Sequence, residues 1–256
     1  MNSDWPKVRL TDIYDIRSSL YKPAASFGYG FPFIAFKDVF NNFFLPEKLT
    51  KLVQSTDSER IQCDVRQGDI FLTRTSETLD ELGMSGVDLK SYPNATFNGF
   101  TKRLRPRTKN QRQIYHEYIG YYLRSQSFRR GMLAQSSMST RASLNNEMIG
   151  RLEVMLPPID IQKIIAKALK CLDDKIDLNR RINQTLTELS RSKLAELITL
   201  APHKDVLSTF DALISSLKAK ISAKERESLK LAELRDTVLP KLLTGELPVV
   251  EMEVPA

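Results

Sequence analysis

Between Pro157 and about Leu247 apolar residues recur at steps of three and four. Ile161, Ile165, Ala168, Leu172, Ile176, Ile182, Leu186, Leu189, Leu194 and Leu197 form one stripe. Phe210, Ile214, Leu217, Ile221, Leu231, Leu234, Val238 and Leu242 form a second. This period predicts two long helices, 158–200 and 208–244. Ser208 with Asp211 makes a capping-box pattern at the second start, and Gly245 suits the C′ position at its end. At about 1.5 Å per residue each helix is roughly 50 to 60 Å long. A narrow seam on so long a rod cannot be covered by a small globular neighbour, so it must pair with another helix. The break at Ala201-Pro202-His203-Lys204-Asp205 is short enough to fold the second helix back antiparallel on the first.

The expected partner-helix seam is Ile165, Leu172, Ile176 and Leu186 against Ile214, Leu217, Ile221, Leu234 and Val238. Asn179, Asn183, Lys224 and Ser228 lie at or beside it. They form either a polar layer that fixes register or a wet edge of the seam.

Residues 1–157 read differently, as one α/β globular domain. Strands are expected at Val8–Leu10, Tyr29–Phe36, Ile70–Thr73 after a Gly68-Asp69 turn, and Ile149–Met155. Ala95 to Leu104 reads as a hairpin about an Asn98-Gly99 turn. Helical turns are expected at Lys37–Asn41, Tyr115–Arg124 and Phe128–Leu133. The fold class is therefore α+β, a globular α/β domain followed by a long antiparallel two-helix coiled-coil hairpin over 158–247 and a tail at 248–256.

No apolar run is long enough to span a membrane, and Met1 to Pro6 do not open a secretory signal, so a cytoplasmic protein without membrane attachment is expected. Cys63 and Cys171, with His116 and His203, give no metal-ligand spacing. Phosphate loops, dinucleotide fingerprints and nucleophile elbows are missing from the sequence, so catalysis by this chain and a bound cofactor are not expected.

The net charge of +7 is unevenly placed. Residues 99–151 hold eleven Lys and Arg against two acids, Glu117 and Glu147, which points to a polyanion. Candidate DNA-binding side chains fall in three groups. Arg74, Thr75, Ser76 and Thr78 follow the Ile70–Leu72 strand, in a loop that either reaches DNA or satisfies its own backbone. Asn98, Lys102, Arg103, Arg105 and Arg107 line the expected hairpin, with the three arginines on one strand face able to follow a duplex backbone. Ser137, Thr140 and Arg141 lie in a second polar loop, where an arginine can be bidentate to guanine or hold the loop to the domain.

These segments carry a resemblance. Gly68 to Thr78, Asn94 to Phe100 and Ser139 to Asn145 resemble a target recognition domain of type I restriction-modification specificity subunits. Leu156 to Gln162 with Leu172 to Asn179 is similar to that family's first spacer helix, and Leu234 to Leu247 to the end of its second. Full-length members carry two recognition domains; one is visible here, as in a half-subunit. The resemblance implies a non-catalytic chain that reads double-stranded DNA and docks a modification (methyltransferase) subunit and a restriction subunit. It implies that S-adenosylmethionine sits on the modification subunit, and that a homodimer would present two recognition domains to a bipartite site. The competing expectation is an RNA- or general polyanion-binding adaptor with a coiled-coil arm.

Overall fold

The computed structural model describes residues 5–19, 21–76, 78, 81–108, 112–135, 137–138, 142–200, 204–244 and 246–248. In chain order β1 (Lys7–Arg9), α1 (Leu10–Ile13), β2 (Tyr14–Ser18), β3 (Phe27–Ile34), α2 (Phe36–Asn41), β4 (Leu52–Val53), α3 (Asp57–Gln62), β5 (Ile70–Thr73) and β6 (Thr75–Ser76) come first. Then follow β7 (Ser85–Val87), β8 (Thr96–Phe97), β9 (Thr101–Pro106), α4 (His116–Arg124), α5 (Gln126–Gln135), β10 (Ser137–Met138), β11 (Ala142–Ser143), α6 (Asn146–Arg151) and β12 (Glu153–Met155). Two long helices complete the order, α7 (Ile159–Leu200) and α8 (Lys204–Thr244). Contacts divide the chain into one unit of residues 1–166 with 239–256 and another of residues 167–238. The mixed α/β part and the long helices are those the sequence predicts.

In the first unit the central sheet is antiparallel, in the order β2-β9-β5-β7. Its register stacks Ile16, Leu104, Ile70 and Val87 on one face, and Arg17, Arg103, Phe71 and Gly86 on the other. The second face meets a core of Ile34, Val39, Cys63, Val65, Phe71 and Phe97, to which β3 and β8 contribute. β3 pairs antiparallel with β4 and parallel with β8. β1 pairs antiparallel with β12, Lys7 opposite Met155, which ties the two ends of the α/β part together. Gln162, in the first turn of α7, is 1% exposed and continues that closure. It accepts from the Tyr115 amide at 2.9 Å and donates to the Gln113 and Pro157 carbonyls at 3.1 and 2.8 Å.

Two expectations for this unit are corrected. Ala95 to Leu104 is not a hairpin, because β8 pairs with β3 while β9 pairs with β2 and β5. Asn98-Gly99 makes no I′ turn, which needs positive φ at both residues, and neither has it. The Asn98 side chain instead accepts from the Phe100 amide at 2.7 Å, and its carbonyl accepts from Thr101. Ile149 to Arg151 is helical, and the final strand begins at Glu153. The cause is local: Asn145 caps α6 by accepting from the Met148 amide at 2.8 Å.

In the second unit the helices run antiparallel, since partners on α8 fall in number as those on α7 rise. Asp173 meets Arg235, Asn179 meets Ser228, and Asn183 meets the Ile221 carbonyl. Leu172, Ile176 and Leu186 lie on the covered face of α7, and Ile214, Leu217 and Ile221 on that of α8. Val238 is half-buried, and Ile165 is buried within the first unit. Leu234 is not in the seam. It is half exposed because the covered face of α8 steps from Leu231 to Arg235, whose guanidinium reaches Asp173 at 2.6 Å. Leu189 and Leu194 are likewise half exposed. α8 begins at Lys204, so Ser208 and Asp211 lie inside the helix rather than at its start.

Asn179 is fully buried and forms a polar layer with Ser228, so the register-fixing alternative holds at that position. Gly245, expected at C′, and residues 201–203, expected in the break, lie outside the described residues.

Truncating a seam residue and an outward one separates the two environments. Ile176→Ala is expected to cost about 2–5 kcal/mol of stability, and Leu234→Ala no more than about 0.5 kcal/mol, as read from urea denaturation followed by circular dichroism.

Candidate nucleic-acid interface

The basic residues of β9 separate by strand alternation. Arg103 and Arg105 turn toward the loop before β5. Arg105 donates from Nε and Nη2 to the two oxygens of Asp69 at 2.8 and 2.6 Å, and from Nη1 to Asp64 at 2.8 Å. Arg103 is 3% exposed, donates to Asp64 at 3.0 Å and lies 5.5 Å from the centre of the Phe97 ring. Burial works against ionisation of Asp64. The hydrogen bonds from Arg105 and Arg66 and the charges of Arg105 and Arg103 outweigh it and hold that carboxyl below the usual range. Arg103 and Arg105, expected from the sequence to follow a duplex backbone with Arg107, have their guanidinium groups held by Asp64 and Asp69 and fasten β9 to the fold. Arg107 forms a half-exposed pair with Asp15 at 3.1 Å.

The charge of residues 99–151 is reduced in the same way elsewhere. Arg124 donates to the carbonyls of Ser85, Val39, Phe40 and Asn42, and its guanidinium lies 4.9 Å from the centre of the Phe43 ring. Arg129 bonds the Leu82 carbonyl, and Arg151 pairs with Glu147. Three carboxylates from outside the window, Asp15, Asp64 and Asp69, therefore offset part of the excess counted along the chain.

A different set of residues stays unneutralised. Arg74 follows β5, and its backbone joins three segments. Its amide donates to the Phe100 carbonyl at 2.9 Å and its carbonyl accepts from the Leu144 amide at 2.8 Å. Its half-buried side chain has an Nε without a partner. Lys102 is 5% exposed and donates to Ser18 Oγ at 2.6 Å. Burial, and after it the like charge of Arg74, push the Lys102 ammonium below the usual lysine range. Two neighbouring cations, neither paired with a carboxylate among the described residues, make a site suited to an anion.

Three of the remaining candidates, Thr75, Ser76 and Ser137, lie in the small sheet that follows Arg74. Thr75 and Ser76 form β6, which pairs with β11, and β11 pairs with β10 at Ser137 opposite Ser143. Asn98 is half-buried beside Phe100, and Thr78 is exposed. Thr140 and Arg141 fall in sequence between β10 and β11 and lie outside the described residues. Tyr21 and Phe100, outside the candidate set, are 77% and 39% exposed with ring centres 5.7 Å apart. The available signal was an aromatic ring set among turn residues, Asn98-Gly99-Phe100 and Tyr21-Lys22-Pro23.

Among the described residues no His, Cys, Asp and Glu group could hold a metal ion, and no helix is long and apolar enough to cross a membrane. The profile of the family described as the type I restriction modification DNA specificity domain matches residues 2–188. This chain belongs to that family. The S subunit of a type I restriction-modification system from M. genitalium superposes with a TM-score of 0.56 at 12% identity. That match covers 82% of this chain and 50% of the other. The HsdS subunit from Thermoanaerobacter tengcongensis aligns over 96% of this chain and 46% of its own, at 15% identity and a TM-score of 0.46. The chain thus spans about half the length of these solved subunits.

In this specificity domain the buried charges set two tests. Asp69→Asn leaves Arg105 short of a partner and is expected to cost about 3–5 kcal/mol, measured by urea denaturation. Asp88 is buried next to Asp69 with one oxygen unpaired, and its carboxyl is pushed up to about 7 by burial and then by the charge of Asp69. An unfolded aspartate titrates near 4, so between about pH 4 and 7 the folded state binds more protons and stability falls as pH rises. Asp88→Asn keeps an acceptor for the Lys90 amide and is expected to flatten that fall in thermal melts from pH 5 to 8.

Proposed function

We propose that this chain is a sequence-specific DNA-binding subunit of a type I restriction-modification complex, itself without catalysis. The observation that carries the reading is the juxtaposition of Arg74 and Lys102, which lack carboxylate partners among the described residues, beside the small β10-β11-β6 sheet. A guanidinium without a carboxylate partner among the described residues, beside short polar strands, suits bidentate contact with a base edge in the major groove, and the neighbouring ammonium suits a phosphate. The family match supports the choice of DNA over another polyanion.

The same reading assigns residues 1–157 to recognition of one half-site, and the helical pair over 158–247 to spacing and docking. A modification subunit carrying S-adenosylmethionine, and a restriction subunit, would bind there. Two copies of this chain would present two recognition surfaces to a symmetric bipartite target. The stiffness needed for a fixed spacing is supported by the antiparallel helices and by the ion pair from Asp173 to Arg235.

Selection from a random duplex library with the full chain tests this directly. The expected outcome is a bipartite motif with one fixed gap. Equal affinity for all duplexes, or preference for RNA, would return the polyanion-adaptor reading. Arg74→Ala is expected to weaken binding to the selected duplex by about 1–3 kcal/mol, in titrations at fixed salt. Arg107→Ala, at the half-exposed Asp15 pair, should change that affinity little. Methyl transfer is expected only after a modification subunit is added.

A further inference from the structure

Two aromatic rings, Tyr21 and Phe100, stand in water close to Arg74 and Lys102. Tyr21 is 77% exposed, yet the segment that carries it is anchored on both sides. Ser18 accepts from Lys102, Ser19 donates to the Phe97 carbonyl, and Lys22 pairs with Glu59 at 2.6 Å. The ring is therefore held out at a defined place. It meets Phe100 edge to face, with ring planes at 79°, an arrangement that leaves the exposed ring faces uncovered. Phe100 in turn is fixed to the cationic site, because its carbonyl accepts the Arg74 amide and its own amide donates to Asn98. The aromatic pair and Arg74 thus share one hydrogen-bonded frame.

We propose that Tyr21 and Phe100 form an aromatic wedge that stacks on bases at one step of the target duplex, opening that step next to the groove that Arg74 reads. Every base offers a π-face, and exposed rings beside cations are the common solution for holding unstacked bases. The wedge would also serve the chemistry expected of the complex, since methyl transfer to a base requires that base to leave the stack. The proposal rests on the DNA-reading function above and adds a mechanical role to it.

The test uses the full chain and the duplex selected from the library, with 2-aminopurine placed in turn at each position. Wild-type protein is expected to raise the fluorescence several-fold at one step. Tyr21→Ala and Phe100→Leu should abolish that rise and weaken binding to the intact duplex roughly tenfold. A single mismatch or abasic site at the same step should restore most of that loss, because the opening is then already supplied. Arg74→Ala should weaken binding to all these duplexes while keeping the fluorescence rise at saturating protein. A selected motif with no brightening at any position, or brightening unchanged in Tyr21→Ala, overturns the wedge and leaves the DNA-reading function standing. Failure of wild-type protein to select any sequence overturns both.

Discussion

Arg105 and Asp69 form the contact on which the α/β part depends. Asp69 is fully buried and receives two hydrogen bonds from one guanidinium, a third coming from the Arg66 amide. A carboxylate in that position is tolerable only when its oxygens are satisfied, and a planar fork does this better than an ammonium. The pair joins β9, in the middle of the central sheet, to the turn that starts β5. Because β9 and β5 lie side by side and both run on to the loops of the cationic surface, their alignment sets where Arg74, Lys102 and Phe100 stand relative to one another.

That arrangement divides the basic residues into two kinds. Arg103, Arg105 and Arg124 are structural, their charge met by carboxylates or by converging carbonyls. Arg74 and Lys102 are held near each other with no such compensation among the described residues, at a cost seen in the lowered affinity of Lys102 for its proton. A polyphosphate backbone relieves both cations at once. The cations open to an outside anion are thus set less by their total number than by which of them the fold leaves without a counter-ion.

The helical unit obeys a similar economy of polar groups. Its seam is apolar at Ile176 and Leu217 but polar at Asn179 and Ser228, and a charged pair, Asp173 with Arg235, occupies a further position. Apolar packing alone permits neighbouring registers at little penalty, whereas a misplaced asparagine or arginine loses its partner. The two helices consequently have one favoured alignment. Such an alignment is a requirement for any role in setting a distance.

The sequence by itself marked the two long helices, α7 and α8, because a period of three and four over forty residues buries its seam against another helix. It also marked β3, β5, α4 and α5. Only the tertiary structure decided which charges are available. Asp64 and Asp69 lie more than thirty positions from Arg105 along the chain, and no local pattern says that their carboxylates meet it. The same holds for Leu234 and Arg235, adjacent residues whose roles in the seam are exchanged by the phase of a long helix, and for Asn98-Gly99, where pairing of β8 with β3 overrides a hairpin signal. Periodicity is a local property and is written in the sequence; neutralisation of charge and choice of strand partner are properties of groups brought together in space.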